Sequence, residues 1–141
     1  MKYELCYGTV PIRRSNAKWQ VFLLLHKKGR FWGFPKGHSN EKEDPFATAQ
    51  RELKEETNLE INKKWPFIFR ETYQFERNKE KIQKKVMYFL VETQGEIIIQ
   101  KNEILEGKWV DIIKAVSLIT FFQSQKIMHE VAKILEKEQT F

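Results

Sequence analysis

The sequence predicts an α+β fold, with helices packed against a mixed β-sheet, and three observations predict it. Two apolar runs near the N-terminus read as strands. A segment with both caps in place reads as a helix from Pro45 to Thr57. Strands and then a second amphipathic helix follow, giving the order strands, helix, strands, helix. The 141 residues, 41% of them hydrophobic, suffice for one domain spanning 1–141 with its own core, and four prolines and six glycines are too few for a long linker.

In chain order, 3–12 and 19–26 are the first strands. The second contains Val21-Phe22-Leu23-Leu24-Leu25, which is apolar without alternation and suits a strand covered on both faces. Arg13-Arg14-Ser15-Asn16 is the polar turn between them. Residues 27–42 hold three of the six glycines and one proline, so a loop is expected there. Asp44 then offers an N-cap, and Pro45 fits the first helical position because its missing N–H is not needed. Phe46, Ala49 and Leu53 recur at helical spacing as the buried stripe, and Asn58 suits a left-handed C-cap. Residues 67–75 and 85–92 are the next strands, joined by a polar, mobile stretch over 76–84. Residues 96–100 are short and β-branched, 108–110 make another strand, and 121–138 make an amphipathic helix with Ile127, Val131, Ile134 and Leu135 on one side.

The chain is basic, with 25 Lys plus Arg against 19 Asp plus Glu and a formal net charge of +6. Such a surplus favours anionic partners: nucleic acid, an anionic membrane or a phosphorylated small molecule. Inside this basic chain Glu41, Glu43, Glu52, Glu55 and Glu56 form a local acidic block. Cys6 is the single cysteine, which excludes an internal disulfide and gives no sign of an oxidising compartment. Met1-Lys2-Tyr3-Glu4-Leu5 carries an acid where a signal peptide needs an apolar run, and no window approaches the roughly 18 apolar residues of a membrane span. No membrane association and a cytoplasmic location are therefore expected.

Glu52, Glu55 and Glu56 stand at i, i+3 and i+4, so they fall on one helix face at roughly 100° per residue. Carboxylates so placed repel one another, and a hard divalent cation relieves that repulsion; Mg²⁺ prefers carboxylate oxygen and water in octahedral geometry. An exposed acidic face is the plain alternative, and the surrounding spacing argues against it. From Gly37 there are five residues to Glu43 and seven more to Arg51-Glu52-Leu53-Lys54-Glu55-Glu56-Thr57-Asn58-Leu59.

This spacing resembles the signature of the Nudix hydrolase family, Gly-x5-Glu-x7-Arg-Glu-apolar-x-Glu-Glu-x-Gly-apolar, over 37–59. Every fixed position matches except the last glycine, here Asn58, the residue next most tolerant of positive φ. The resemblance implies a Nudix-type α/β/α sandwich and hydrolysis of a diphosphate bond with bound Mg²⁺, or Mn²⁺ in its place. It implies that Glu52, Glu55 and Glu56 are the metal-binding carboxylates, with Glu52 and Glu56 the direct ligands and the Gly37 carbonyl a further one. Arg51 would pair with Glu43 and hold the loop against the helix. The metal would polarise the phosphoryl oxygens and activate water, and a glutamate, Glu56 or Glu103, would be the general base.

The flanks resemble one branch of that family. Trp32-Gly33-Phe34-Pro35-Lys36-Gly37-His38 is similar to the Trp-x-x-Pro-Lys-Gly-His run of asymmetrically cleaving diadenosine tetraphosphate hydrolases. Lys85-Lys-Val-Met-Tyr88-Phe-Leu-Val-Glu in that reading carries a phosphate-binding lysine, Lys85, with Tyr88 near the phosphates. The resemblance extends from about Tyr7 to Leu135 and implies that Lys36, His38 and Lys85 bind the phosphate chain. Tyr73 and Phe121 would sandwich a base, with Phe75 a substitute for Tyr73. The expected partner is thus a small nucleotide bound by a monomer. Two alternatives stay open: a 5′-RNA pyrophosphohydrolase or general nucleoside-diphosphate-X hydrolase of the same fold, and a non-catalytic nucleotide-sensing module.

Overall fold

The computed structural model describes residues 1–138. The elements run β1 (Lys2–Ser15), β2 (Lys18–His26), β3 (Phe31–Gly33), β4 (Lys36–His38), α1 (Pro45–Thr57), β5 (Glu60–Arg77), β6 (Glu80–Gln94), β7 (Ile104–Asp111), α2 (Ile112–Leu118) and α3 (Phe122–Glu138). The strands join into one sheet in the order β3-β2-β1-β6-β5, with β4 added on β1 and β7 on β2. β1 and β6 are parallel, from Lys2 opposite Ile82 to Ile12 opposite Glu92, while the other pairs are antiparallel. The mixed sheet is as expected.

Alternation along the central strands sends apolar residues to both faces. Phe22, Leu24, Phe89 and Val91 meet Ala49 and Leu53 of α1 on one side. Val21, Leu23, Val86, Tyr88 and Leu90 meet Ala115 of α2 and Ile127, Met128, Val131 and Leu135 of α3 on the other. The result is helix on sheet on helix, the α/β/α layering of the expected fold, and 21–24 are buried on both faces, as the unbroken apolar run implies.

The structure differs from the sequence reading in several places, and two strands begin earlier than expected, β5 at Glu60 rather than 67 and β7 at Ile104 rather than 108. The stretch 76–84 is no mobile linker: β5 and β6 continue to a tight turn at Asn78 and Lys79, both at positive φ, with Arg77 opposite Glu80. Their polar side chains belong to a hairpin arm in which Ile82 alone of 76–84 is a buried apolar residue, too sparse a pattern to read as a strand. Residues 96–100 are not a strand. They run past the C-terminus of α1, where the amides of Ile98 and Gln100 donate to the carbonyls of Thr57 and Glu56 at 2.9 and 3.1 Å, satisfying acceptors that a helix end leaves open. The loop 27–42 contains β3 and β4, and a short helix, α2, precedes the last one; both fall below the length at which periodicity is readable.

Candidate active site

α1 is fixed at both ends by its own sequence. Asp44 accepts from the Ala47 amide at 2.8 Å, Pro45 occupies the first turn, and Asn58 takes φ 69° so that its amide donates to the Lys54 carbonyl at 2.9 Å. The helix is tied to the preceding loop by Arg51. Its guanidinium donates to Glu43 through Nε (2.8 Å) and Nη2 (3.0 Å), to the His38 carbonyl (2.9 Å), to Glu52 (3.1 Å) and to both oxygens of Glu55 (3.2 Å). Glu43 also accepts from the Asn40 amide and the Thr48 hydroxyl. The Arg51 bonds, then the Asn40 amide, hold its carboxyl down at about 2. The pairing of Arg51 with Glu43 is the arrangement the sequence predicted.

Glu52 and Glu56 turn inward from the same helix face. Glu56 is buried and the Glu52 side chain is 13% exposed. Burial first, then the neighbouring Glu52, pushes Glu56 up to about 9; burial likewise raises Glu52, against the pull of Arg51. Two such groups crowded together strongly favour a cation between them. Glu56 Oε1 is buried and receives no hydrogen bond from any donor of the described residues. Gly37 adds a second feature, because a Cβ there would lie 2.1 Å from the Glu52 carboxyl carbon. Only glycine lets Glu52 lie against that strand. The donor set, hard oxygen with one acceptor unclaimed, fits Mg²⁺ or Mn²⁺. Glu55 departs from expectation. It is 53% exposed and held outward by Arg51, so it does not converge with the other two. Among the described residues no three His, Cys, Asp or Glu side chains form a metal cage, for that reason. Glu103 is exposed, in the turn before β7, and its charge adds to the upward push on Glu56.

On the face of the sheet opposite the one that α1 covers, side chains stand in rows. Residues directly opposite on neighbouring strands share a face. Glu4, Lys84 and Tyr73 make one row across β1, β6 and β5; Cys6, Val86 and Glu71 make the next; Gly8, Tyr88 and Phe69 the third. β4 extends two of them, with His38 opposite Cys6 and Lys36 opposite Gly8. β4 can approach so closely because Gly8 has no side chain: a Cβ there would meet the Pro35 carbonyl at 2.2 Å. Lys36 is the electrostatic centre of this surface. Its charge lowers the pKa of Glu56, Glu71, Cys6, His26 and Lys84, and its ammonium lies 6.0 Å from the Phe31 ring centroid. His26 stacks on Phe31 at 4.5 Å and donates from Nε2 to the Phe34 carbonyl at 3.1 Å; burial, then Lys36, hold it down at about 4, so it is neutral at pH 7.

Two of the predicted binding residues are placed elsewhere than expected. Lys85 is exposed on the opposite face of β6, opposite Leu5 and Thr72, because the two-residue strand period separates it from Tyr73. The lysine facing Tyr73 is its neighbour Lys84. Tyr88 lies in the core, edge-on to Phe34 at 5.1 Å and donating to Glu71 at 3.1 Å, so it supports the surface from beneath. Lys36, His38 and Tyr73 do face the row surface. The expected base sandwich is divided: Phe121 is 4.9 Å from Phe31, and Tyr73 is 6.0 Å from Phe75 and tilted to it by 32°. Sequence reasoning missed Lys84, Phe31, Glu4, Arg77 and Glu71. The period-2 rule would have found Lys84 had the hairpin register been known; Glu4 and Arg77 carry no local signal.

With this geometry in view, comparisons with known proteins are informative. The NUDIX domain family model matches residues 3–131. A Caenorhabditis elegans Ap4A hydrolase binary complex superposes with a TM-score of 0.74 at 22% identity, covering 95% of this chain and 98% of that one. The NUDIX domain of Shewanella oneidensis NrtR, complexed with ADP ribose, gives 0.72 at 17% identity over 96% of this chain and 90% of that one. A viral protein, "Putative hydrolase 111R" of Invertebrate iridescent virus 3, is 44% identical over 50 residues, which span 35% of this chain and 30% of that protein.

Proposed function

The chain belongs to the NUDIX domain family, whose fold supports hydrolysis of the diphosphate bond in nucleoside diphosphate derivatives, and on that premise we propose that its substrate is a dinucleoside polyphosphate, diadenosine tetraphosphate being cleaved by water to ATP and AMP. The observation that carries this reading is the continuity of the surface. The charge of Lys36 acts on both Glu56 and Lys84, and an aromatic ring stands at each end, Phe31 at 6.0 Å from the Lys36 ammonium and Phe75 at 5.6 Å from that of Lys84. A tetraphosphate chain needs several cations in line, and a nucleoside at each end needs a flat apolar shelf. Phe31 with Phe121 offers one shelf and Tyr73 with Phe75 the other.

In this reading Glu52 and Glu56 would hold Mg²⁺ or Mn²⁺, with the Gly37 carbonyl as a further donor, while Glu55 is held outward by Arg51. When bound, the ion supplies a Lewis acid for the phosphoryl oxygens and a water of lowered pKa. Lys36, His38 and Lys84 bind and orient the phosphate chain. Glu103, exposed before β7 and close enough for its charge to act on Glu56, takes the proton of the attacking water. Arg51 and Glu43 hold the Gly37 loop against α1 and so fix the distance across which attack occurs.

The test offers diadenosine tetraphosphate, diadenosine triphosphate, nucleoside triphosphates and triphosphorylated RNA to the purified chain with Mg²⁺. ATP plus AMP from the first substrate in preference is the expected outcome. Equal turnover of all four reduces the reading to a general Nudix hydrolase, and preference for RNA with steep salt dependence marks the 5′-pyrophosphohydrolase. Binding without turnover marks a nucleotide sensor. Glu56→Gln should remove turnover and abolish the rise in Tm that Mg²⁺ gives the wild-type chain, while the metal-free protein stays folded. Full activity in that variant refutes the carboxylate assignment.

A further inference from the structure

We propose that Glu4, fixed by Arg77, is a positioning residue for Lys84: it holds the ammonium on the sheet face by charge while leaving its hydrogen-bond donors free for a phosphate chain. This deepens the reading above and rests on it for the identity of the ligand.

The argument begins with the position of Lys84. Its side chain is only 14% exposed, and two cations stand close by, Lys36 from β4 and Arg77 from the hairpin tip. Burial first, then Lys36, depress its pKa. A lysine so placed and left alone tends towards a neutral amine, which is of little use to a polyphosphate. Glu4 lies directly opposite it on β1, and one carboxylate oxygen stands 3.9 Å from the ammonium. At that separation the carboxylate raises the lysine's pKa, as Cys6 also does, yet stands beyond hydrogen-bond range.

The separation is maintained by Arg77. This residue reaches back from the end of β5 over the Phe75 ring, 5.6 Å from its centroid, and pairs with the other oxygen, Glu4 Oε2. The Arg77 bond keeps Glu4 ionised. Oε1 is buried and has no hydrogen-bond partner among the described residues. A carboxylate free to rotate would take a hydrogen bond from the lysine directly and compete with incoming phosphate. Held as it is, Glu4 attracts without capturing, and all three ammonium donors remain available. The other titratable groups facing Lys84 or Glu4 are Cys6 from β1, His38 from β4 and Tyr73 from β5.

The test compares Glu4→Gln with Arg77→Met in the full chain. NMR of ¹³C-labelled lysine side chains follows the Lys84 titration without substrate, its resonance assigned by its absence in Lys84→Arg. Glu4→Gln keeps the shape and removes the charge, so the Lys84 midpoint should fall by about one pH unit. Arg77→Met removes a cation and frees the carboxylate, so the midpoint should rise. With diadenosine tetraphosphate, Glu4→Gln should raise KM about tenfold at pH 9 and lower kcat far less, the difference closing as the pH falls and Lys84 is protonated in both proteins. An unchanged midpoint in Glu4→Gln overturns the proposal, as does a KM increase equal at every pH. A wild-type chain that hydrolyses no dinucleotide refutes the substrate assignment, whereas the NMR titration still decides the role of Glu4.

Discussion

Lys84 and Lys85 are adjacent, chemically identical and separated in role by the pleat alone. In the strand Glu80–Gln94 the side chains at 82, 84, 86 and 88 point to the layer of α3, and those at 85, 87 and 89 to the other face. Nothing in the local composition distinguishes the two lysines. Which one faces Tyr73 depends on the pairing of Tyr73 with Lys84, and that pairing depends on the turn at Asn78 and Lys79, five residues from each partner. Lys84→Met should therefore raise KM for diadenosine tetraphosphate at least tenfold, the loss of one charge-assisted contact to phosphate. Lys85→Met should leave it within about twofold. Steady-state kinetics of the two variants side by side decide the matter, and the reverse order would return the phosphate contact to Lys85. The carboxylates, by contrast, were legible as residues. Spacing along one helix assigns Glu52 and Glu56 to one face, while the outward turn of Glu55 follows from a competitor, Arg51, one turn earlier.

At the scale of elements, what could be read was what is determined locally. The helix α1 carries its start and stop in Asp44, Pro45 and Asn58, and the structure reproduces its limits. The hairpin of β5 and β6 carries no such punctuation. Its turn residues are Asn78 and Lys79, and lysine gives no hint that it adopts φ 65°. A two-residue turn with positive φ at both positions prefers glycine second, since a side chain in the left-handed region is strained. Lys79→Gly should accordingly stabilise the chain by about 0.5–1 kcal/mol, the gain in strain exceeding the entropy glycine loses on folding. Urea denaturation measures it, and a destabilised variant would mean that the Lys79 side chain contributes a contact outweighing the strain. The consequence for the site is indirect: a firmer turn holds Arg77, two residues away, in reach of Glu4.

At the scale of the whole molecule, the helical layer of α3 meets the sheet through one polar junction as well as through its apolar stripe. Glu71 of β5 is buried and accepts from Ser124 of α3 at 2.9 Å and from Tyr88 of β6 at 3.1 Å. It lies one row from Tyr73 and Lys84, so the junction underlies the proposed binding surface. The two-residue period sets Glu71 on the face of Phe69, Tyr73 and Phe75, but a lone acid in that row reads by its type as solvent-facing. Burial outweighs the two hydroxyl donors and raises the Glu71 carboxyl above its ordinary value of 4.5. A carboxyl raised in the folded state favours folding most when protonated in both states. Its contribution is therefore complete below about pH 4.5 and declines as pH rises from there to the raised folded value. Glu71→Gln keeps the shape, accepts from one hydroxyl and donates to the other, and carries no charge at any pH. It should be more stable than the wild-type chain at pH 8, by roughly 1.4 kcal/mol for each unit of the rise, with the difference vanishing towards pH 4. Urea denaturation midpoints across that range provide the measurement. A variant less stable at pH 8 would show that Tyr88 and Ser124 hold an ionised carboxylate, and that charge-assisted bonds rather than burial govern the seam between α3 and the sheet.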